Sequence, residues 1–193
     1  MKVYVASSWR NEQRQQEVVQ ALRAAGHEVY DFRHPEGEAS AGFSWSLVDP
    51  AWRAWTPAQY LEALNHPEAR KGFRRDMKAL LACDACVYVQ PCGVSASLEE
   101  GFAAGAGKYT VALLAEGCEA ELMLGMADFL ALSVAGVVQA LEDAIQEMEC
   151  EDCGDEAERR ELKRCIHCDL LICHWCQGHT HGHEGSAQEG GAP

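Results

Sequence analysis

Two stretches of this 193-residue chain hold side chains whose types and spacing could do chemistry. One runs from Gln90 to Lys108 and reads QPCGVSASLEEGFAAGAGK; the other runs from Cys150 to His183. In the first, a small, flexible loop leaves an apolar strand and enters a helix. Ser95 or Ser97 is placed to cap that helix, and the free N–H groups of a helix start favour an anion. Glu99, in the first turn of such a helix, would be held ionised by the positive helix end. An ionised carboxylate at the mouth of a sheet can act as a nucleophile. The competing assignment is a capping box, in which Ser97 and the following Glu99 or Glu100 satisfy the helix backbone. The glycines do not make a phosphate loop. Gly101 lies six residues before Gly107, Tyr109 stands where Ser or Thr is needed after Lys108, and the Gly-Lys pair falls at the helix end.

The second stretch spaces its ligand-type residues as Cys150-x2-Cys153, eleven residues, Cys165-x2-Cys168, four residues, Cys173-x2-Cys176, then His179-x-His181-x-His183. Residues 148–193 hold six of the ten cysteines and five of the eight histidines. Three CxxC pairs with a histidine cluster point to zinc, each CxxC presenting two thiolates to one tetrahedral ion. Six cysteines and two histidines make two four-ligand sites. The four-residue gap before Cys173 is short for two sites in sequence, so an interleaved arrangement is expected. Cys150, Cys153, Cys173 and Cys176 would hold one Zn²⁺. Cys165, Cys168 and two of His179, His181 and His183 would hold the other, with His179 and His183 as the assigned pair; His167 and His174 are not expected to be ligands. Eight ligands leave no open coordination position, so both ions read as structural, in a module for protein interaction or oligomerisation. Apolar content there is confined to Leu170, Leu171, Ile172 and Trp175, so folding should need the metal.

The elements that position Glu99 follow from the pattern of the first 147 residues. KVYVA (2–6) is a β-rich run, residues 11–25 have helical spacing stopped by Gly26, and HEVYDF (27–32) is a second strand. This βαβ unit implies parallel strands. Residues 35–68 interrupt with Phe43, Trp45, Trp52, Trp55 and Tyr60 among four prolines, and with a short helix capped by Thr56 before Pro57. Such an insertion is either a small subcore or a lid over a flat ligand. A helix over 70–83, a buried strand over 85–91, a helix from Ser97 to Gly105, a strand over 110–115 and a helix over 135–148 complete the pattern. The predicted fold is α/β: a five-stranded parallel Rossmann-like sheet flanked by helices, plus a small zinc-binding module. The expected organisation is a domain over 1–147, the zinc module over 148–184, and a disordered tail over 185–193. Ligands of such sheets bind at the carboxyl ends of the strands, which directs attention to loops 6–11, 31–36 and 90–99. Cys83 and Cys86 straddle a helix-to-strand junction and read as buried cysteines.

Sixteen basic against thirty acidic residues give a net charge of −14, which disfavours binding to nucleic acid or to an anionic membrane. No apolar run approaches a membrane span, and the opening MKVYVASSWRNEQRQQ turns polar after six residues, unlike a secretory signal. A soluble, cytoplasmic protein is expected, in which clustered cysteines mean metal before disulfides.

The segment Glu99-x-Gly101-x-Ala103-x-x-x-Gly107-Lys108 followed by a strand resembles the nucleoside 2-deoxyribosyltransferase superfamily. Asp76 and Asp84, eight apart in RRDMKALLACDACVYV, agree with it, as does the opening VYVASSW. A closer likeness, sharing the ASSWRNE opening and the FSW insertion, is to uncharacterised bacterial proteins of that superfamily. The resemblance covers residues 1–130. It implies that Glu99 attacks C1′ of a sugar, that Asp76 is a catalytic carboxylate and the acid for the leaving base, that Asp84 is structural, and that the protein is a homo-oligomer. The superfamily's transferases carry an acidic residue six positions before the nucleophile; here that position is Gly93. The loop offers Ser95 and Ser97 instead, which suit the phosphate of a nucleoside 5′-monophosphate, and related members hydrolyse such nucleotides. Ser7, Ser8 and Arg10 could add phosphate or base contacts, and Trp9, Trp45 or Phe43 could stack the base. The implied function is cleavage or transfer of an N-glycosidic bond in a nucleoside, a 5′-monophosphate or a related nucleotide. The alternative, favoured by Gly93, is a non-catalytic nucleotide sensor that signals to a protein partner through the zinc module. Residues 150–183 resemble a B-box zinc finger, from which the close H-x-H-x-H spacing departs.

Overall fold

A computed structural model describes residues 1–35, 42–165 and 170–176. The chain divides into two compact units, Met1–Ala144 and Ile145–Pro193.

In the first unit, β1 (Lys2–Ala6), α1 (Glu12–Ala24) and β2 (Glu28–Tyr30) form the opening βαβ unit. Gly26 ends the α1 turn with φ +85°, a conformation that costs glycine little. After the aromatic insertion come α2 (Pro57–Ala63), α3 (Pro67–Ala82), β3 (Ala85–Val89), α4 (Val94–Gly105), β4 (Tyr109–Leu113), β5 (Phe129–Ala131) and α5 (Val134–Asp143). The five strands form one parallel sheet in the order β2-β1-β3-β4-β5. This is the α/β sheet expected from the sequence. All five residues of β3 and all five of β4 are buried, as central parallel strands covered on both faces require.

Alternation along the strands builds two cores. Val3, Val5, Val87, Val89, Val111 and Leu113 face α1 and α5, meeting Val18, Leu22, Val137 and Leu141. Tyr4, Ala6, Cys86, Tyr88 and Ala112 face α3 and α4, meeting Leu80, Ala96 and Ala103. Each fully buried Val or Leu contributes ~1.5–3 kcal/mol. Asp84 ties the sheet at its base: its carboxylate accepts from the Lys2 N–H at 2.8 Å, and its own N–H donates to the Lys2 carbonyl at 2.8 Å. Cys83 and Cys86 are buried in the second core, as their junction position implied.

Three local expectations are corrected. The helix read over 135–148 stops at Asp143, because Glu147–Glu149 pairs antiparallel with Glu156–Glu158. Neither Ser95 nor Ser97 caps α4: Gly93 is the N-cap, with no side-chain cap bond, and both serines lie within the helix. Glu99 is therefore in the second turn, and no acidic residue occupies the first. Thr56 does cap α2, in a reciprocal box with Gln59 and with Pro57 in the first turn.

In the second unit, β6 (Glu147–Glu149) pairs with β7 (Glu156–Glu158), and β8 (Lys163–Arg164) with β9 (Leu171–Ile172). Its small core is Leu162, Leu171 and Ile172 around Cys150 and Cys173. Leu162 is fully buried, whereas Trp175, counted among its apolar content above, is 89% exposed.

Candidate functional site

Register brings five polar side chains together on the α3–α4 face of the sheet. Tyr4 in β1 lies beside Tyr30 in β2, and the rings stack with centroids 5.2 Å apart and planes 19° apart. From α4, Glu99 comes within reach of the Tyr4 hydroxyl, which as a donor lowers its pKa. From α3, Asp76 accepts the Tyr30 hydroxyl proton at 2.6 Å. Arg75 Nε donates to the Tyr30 oxygen and to Asp76 Oδ1, both at 3.2 Å. Both bonds to Asp76 fall on Oδ1, which leaves Oδ2 out of them.

The electrostatics follow from burial. Glu99 is half-buried, and loss of water pushes its pKa up to about 7; the Tyr4 hydroxyl opposes this and the nearby charge of Asp76 adds to it. The helix start does not hold it ionised, because Glu99 lies a turn further in than its first-turn assignment. Burial also raises the pKa of Tyr4 and of Tyr30, so both phenols are donors at neutral pH. A carboxylate whose pKa is near 7, facing a second carboxylate, is suited to nucleophilic or acid–base chemistry. Neither tyrosine nor Arg75 stood out in the sequence. Tyr4 and Tyr30 read only as strand residues, and their meeting depends on parallel register across the βαβ unit.

Glu100, adjacent in sequence, is buried without a comparable partner among the described residues. It is 3% exposed, its Oε1 has no partner among the described residues, and burial together with Asp128 raises its pKa. It forms no capping box.

The other expected residues fall in two groups at the carboxyl ends of the strands. In the first loop, Ser7 Oγ donates to the Val89 carbonyl at 2.9 Å and accepts from Asn11 at 3.3 Å, tying β1 to the end of β3. Ser8 Oγ accepts from the Arg10 N–H at 3.2 Å, and the Arg10 side chain is exposed. Trp9 lies edge-on to Phe32 and beneath the Arg33 guanidinium, 4.8 Å from its ring centroid. Arg33 was missed in sequence. It is 4% exposed and donates to the carbonyls of Ser8 and Trp9, with Nε left without a partner among the described residues. The buried Asp31 was missed as well. It accepts from Gln15, Gln16 and the Arg33 N–H and meets His34 Nδ1 at 2.9 Å; these bonds hold its pKa down against the opposing effect of burial.

In the second group, Gly93 and Ser95 are exposed at the start of α4, and the Ser97 hydroxyl lies 3.3 Å from that of Tyr88. A Cβ on Gly93 would meet nothing within 4 Å, so the loop stays open there.

The aromatic insertion is a subcore anchored to α3. Trp45 stands edge-to-face with Phe43, Trp55 and Tyr60 at 4.9, 5.5 and 5.6 Å. Phe43 lies against Gly72, one helical turn before Asp76; a Cβ at Gly72 would come 2.7 Å from Phe43 Cβ.

In the second unit, the Sγ atoms of Cys150, Cys153, Cys173 and Cys176 all lie within 4.8 Å of one another, the quartet expected from interleaving. A tetrahedral Zn²⁺ with Zn–S of about 2.3 Å needs sulfurs about 3.8 Å apart, and Cys153 and Cys173 are at 3.8 Å. The four cysteines could therefore hold one metal ion. Gly154, at φ +78°, lets the chain turn back so that its N–H donates to the Cys150 carbonyl. The Cys173 N–H donates to Cys150 Sγ at 3.3 Å, which links the two CxxC pairs. Of the second expected set, Cys165 is described; Cys168, His179, His181 and His183 lie outside the described residues.

No helix among the described residues is long and apolar enough to cross a membrane. No family model matches the chain, and no curated protein matches it. Among solved structures it is similar to the 2-deoxyribosyltransferase of Bacillus psychrosaccharolyticus, with TM-score 0.49 and 18% identity over 72% of this chain and 90% of that one. It is also similar to the CMP N-glycosidase BcmB of Clostridium botulinum, with TM-score 0.42 and 16% identity over 74% and 99%. A conserved protein of Enterococcus faecalis V583 has TM-score 0.38 and 16% identity over 72% and 86%.

Proposed function

We propose that the first unit cleaves or transfers the N-glycosidic bond of a nucleoside, a nucleoside 5′-monophosphate or a related nucleotide, with Glu99 as nucleophile. The observation that carries this reading is the convergence of Glu99 and Asp76 from two helices onto the Tyr4–Tyr30 pair, together with the resemblance of the residues around Glu99 to the deoxyribosyltransferase pattern. Ionised Glu99 attacks C1′, and the C1′–N bond breaks with its electron pair going to the base. The departing nitrogen takes a proton, for which the resemblance names Asp76 as the donor; Tyr30 and Arg75 bond its Oδ1 and leave Oδ2 out of those bonds. The glycosyl ester on Glu99 is then resolved by water or by a second base. Tyr4 steadies the negative charge on Glu99 before attack and after ester cleavage.

Ser7, Ser8, Trp9, Arg10, Gly93, Ser95 and Ser97 are the substrate-binding residues in this reading. The exposed start of α4, capped by no side chain, offers backbone N–H groups to a 5′-phosphate. Ser7 and Ser8 shape the first loop, given their bonds to Val89 and Arg10. A homo-oligomer accords with exposed Val94, Leu98 and Phe102, four residues apart along α4, beside exposed Phe73 and Leu81 of α3.

The second unit is proposed as a B-box-like module with two structural Zn²⁺. Cys150, Cys153, Cys173 and Cys176 would hold one ion; Cys165, Cys168, His179 and His183 would hold the other. It would serve protein interaction in a cytoplasmic protein. The ions would cross-link the short strands of this unit.

Purified protein and a Glu99→Ala variant, incubated with nucleosides, 5′-monophosphates and NAD, test the activity by chromatography of free base. Release by the wild type alone supports it. No release from any compound by folded protein would leave the nucleotide sensor, which the glycine at position 93 favours, as the better reading.

A further inference from the structure

The aromatic insertion contains a hollow of about 350 Å³, lined by Trp45, Trp52, Trp55, Thr56, Pro57 and Tyr60. That is near the lower end of ligand pockets, ~300–1,000 Å³, and suits one small group. Around Trp45 the walls meet as corners: Trp55 stands at 77° to it and Tyr60 at 74°. A flat base needs parallel ring faces to stack between. A compact cation needs only several ring faces turned toward one point, which corners supply.

Three further observations favour a cation. The guanidinium carbon of Arg53 stands 4.6 Å from the Trp52 ring centroid, so a positive group already uses a wall of this insertion. The Trp55 indole N–H donates to Asp49 Oδ2 at 2.6 Å. A charge-assisted bond of this kind fixes the ring and adds electron density to its face. Asp49 also accepts from the Ala51 N–H at 2.8 Å, and these two bonds keep its carboxyl below the usual range and its charge beside the cage. Thr56, the polar member of the lining, is engaged with Gln59 in the α2 capping box and offers little to the edge of a base.

We propose that Trp45, Trp52, Trp55 and Tyr60 form an aromatic cage for a methylated ammonium group, a second binding site independent of the Glu99 chemistry. Such a group reaches a protein either on a free small molecule or on a methylated lysine side chain of a partner.

The full chain is titrated with choline and with its neutral isostere 3,3-dimethyl-1-butanol, following the ligand methyl protons by NMR. The expected result is saturable binding of choline with an upfield ring-current shift, and binding of the neutral alcohol at least tenfold weaker. Trp52→Leu and Tyr60→Leu, each tested for folding by circular dichroism, should weaken choline about threefold or more, since each removes one wall. Free trimethyllysine and a trimethyllysine peptide separate the two sources. Equal affinities assign a small ammonium ligand, and a tenfold tighter peptide assigns a protein side chain. Equal binding of choline and the neutral alcohol, or no saturable shift from any cation, overturns the cage. Binding of a nucleobase in preference to every cation overturns it too.

Discussion

Replacing Tyr4 by Phe removes one hydroxyl from a buried ring and leaves its stacking on Tyr30 in place. That hydroxyl is the group that lowers the Glu99 pKa against burial and Asp76. A hydrogen bond to a charged group is worth ~1.5–3 kcal/mol, and one pKa unit is ~1.36 kcal/mol. Losing it should therefore raise Glu99 from about 7 by roughly one to two units. The ionised fraction at pH 7 then falls from about a half to about a tenth or less, while at sufficiently high pH both proteins are ionised. The assay is kcat/KM for base release between pH 5.5 and 9.5. The acid limb of Tyr4→Phe should move up by one to two units, with the rates converging toward the alkaline end. An unmoved limb, or a loss equal at every pH, would refute the assignment of Tyr4 to the charge on Glu99.

Four further outcomes are expected. Glu99→Gln should stabilise the protein at high pH only: the folded pKa of about 7 lies above the ordinary 4.5, so stability present below pH 4.5 is lost as pH rises through 7, by roughly 3 kcal/mol. Melting temperatures of wild type and variant should coincide near pH 4 and separate by pH 8. Gly72→Ala should destabilise by about 1–3 kcal/mol, because the new methyl would displace Phe43 and the insertion it anchors; thermal melting and tryptophan fluorescence report this. Stripping metal with a chelator should expose Ile145–Pro193 to proteolysis while Met1–Ala144 keeps its melting transition. Elemental analysis should find two zinc ions per chain, and one fewer in Cys150→Ser.

What the sequence made legible was local. The Gly26 stop, the Thr56-Pro57 start and the apolar runs of β3 and β4 each carry their signal within a few residues. The cysteine quartet was legible for a related reason: CxxC pairs bring two thiols together by turn geometry, so only the pairing of pairs had to be inferred. Strand β5 was counted but not located, because three residues at a half-exposed sheet edge carry no period. The contact of Tyr4 with Glu99 joins β1 to α4 across ninety-five positions and is set by register, which no local pattern encodes. Ser95 and Ser97 are favourable caps, yet the helix starts earlier, at Gly93, and the shift moves Glu99 out of the first turn. Its charge is consequently governed by burial and Tyr4 rather than by the helix end. Arg33 and Asp31 looked like ordinary loop charges; their burial follows from the way the first loop folds over the end of β2.

The central claim is a covalent bond between a sugar and Glu99. It is tested most directly by mixing the protein with a substrate that releases base, quenching with acid and measuring the mass of the intact chain and of its peptides. The account predicts an adduct with the mass of the glycosyl group on the peptide containing Glu99, absent from Glu99→Ala together with base release. Base release with no adduct, undiminished in Glu99→Ala, would contradict it.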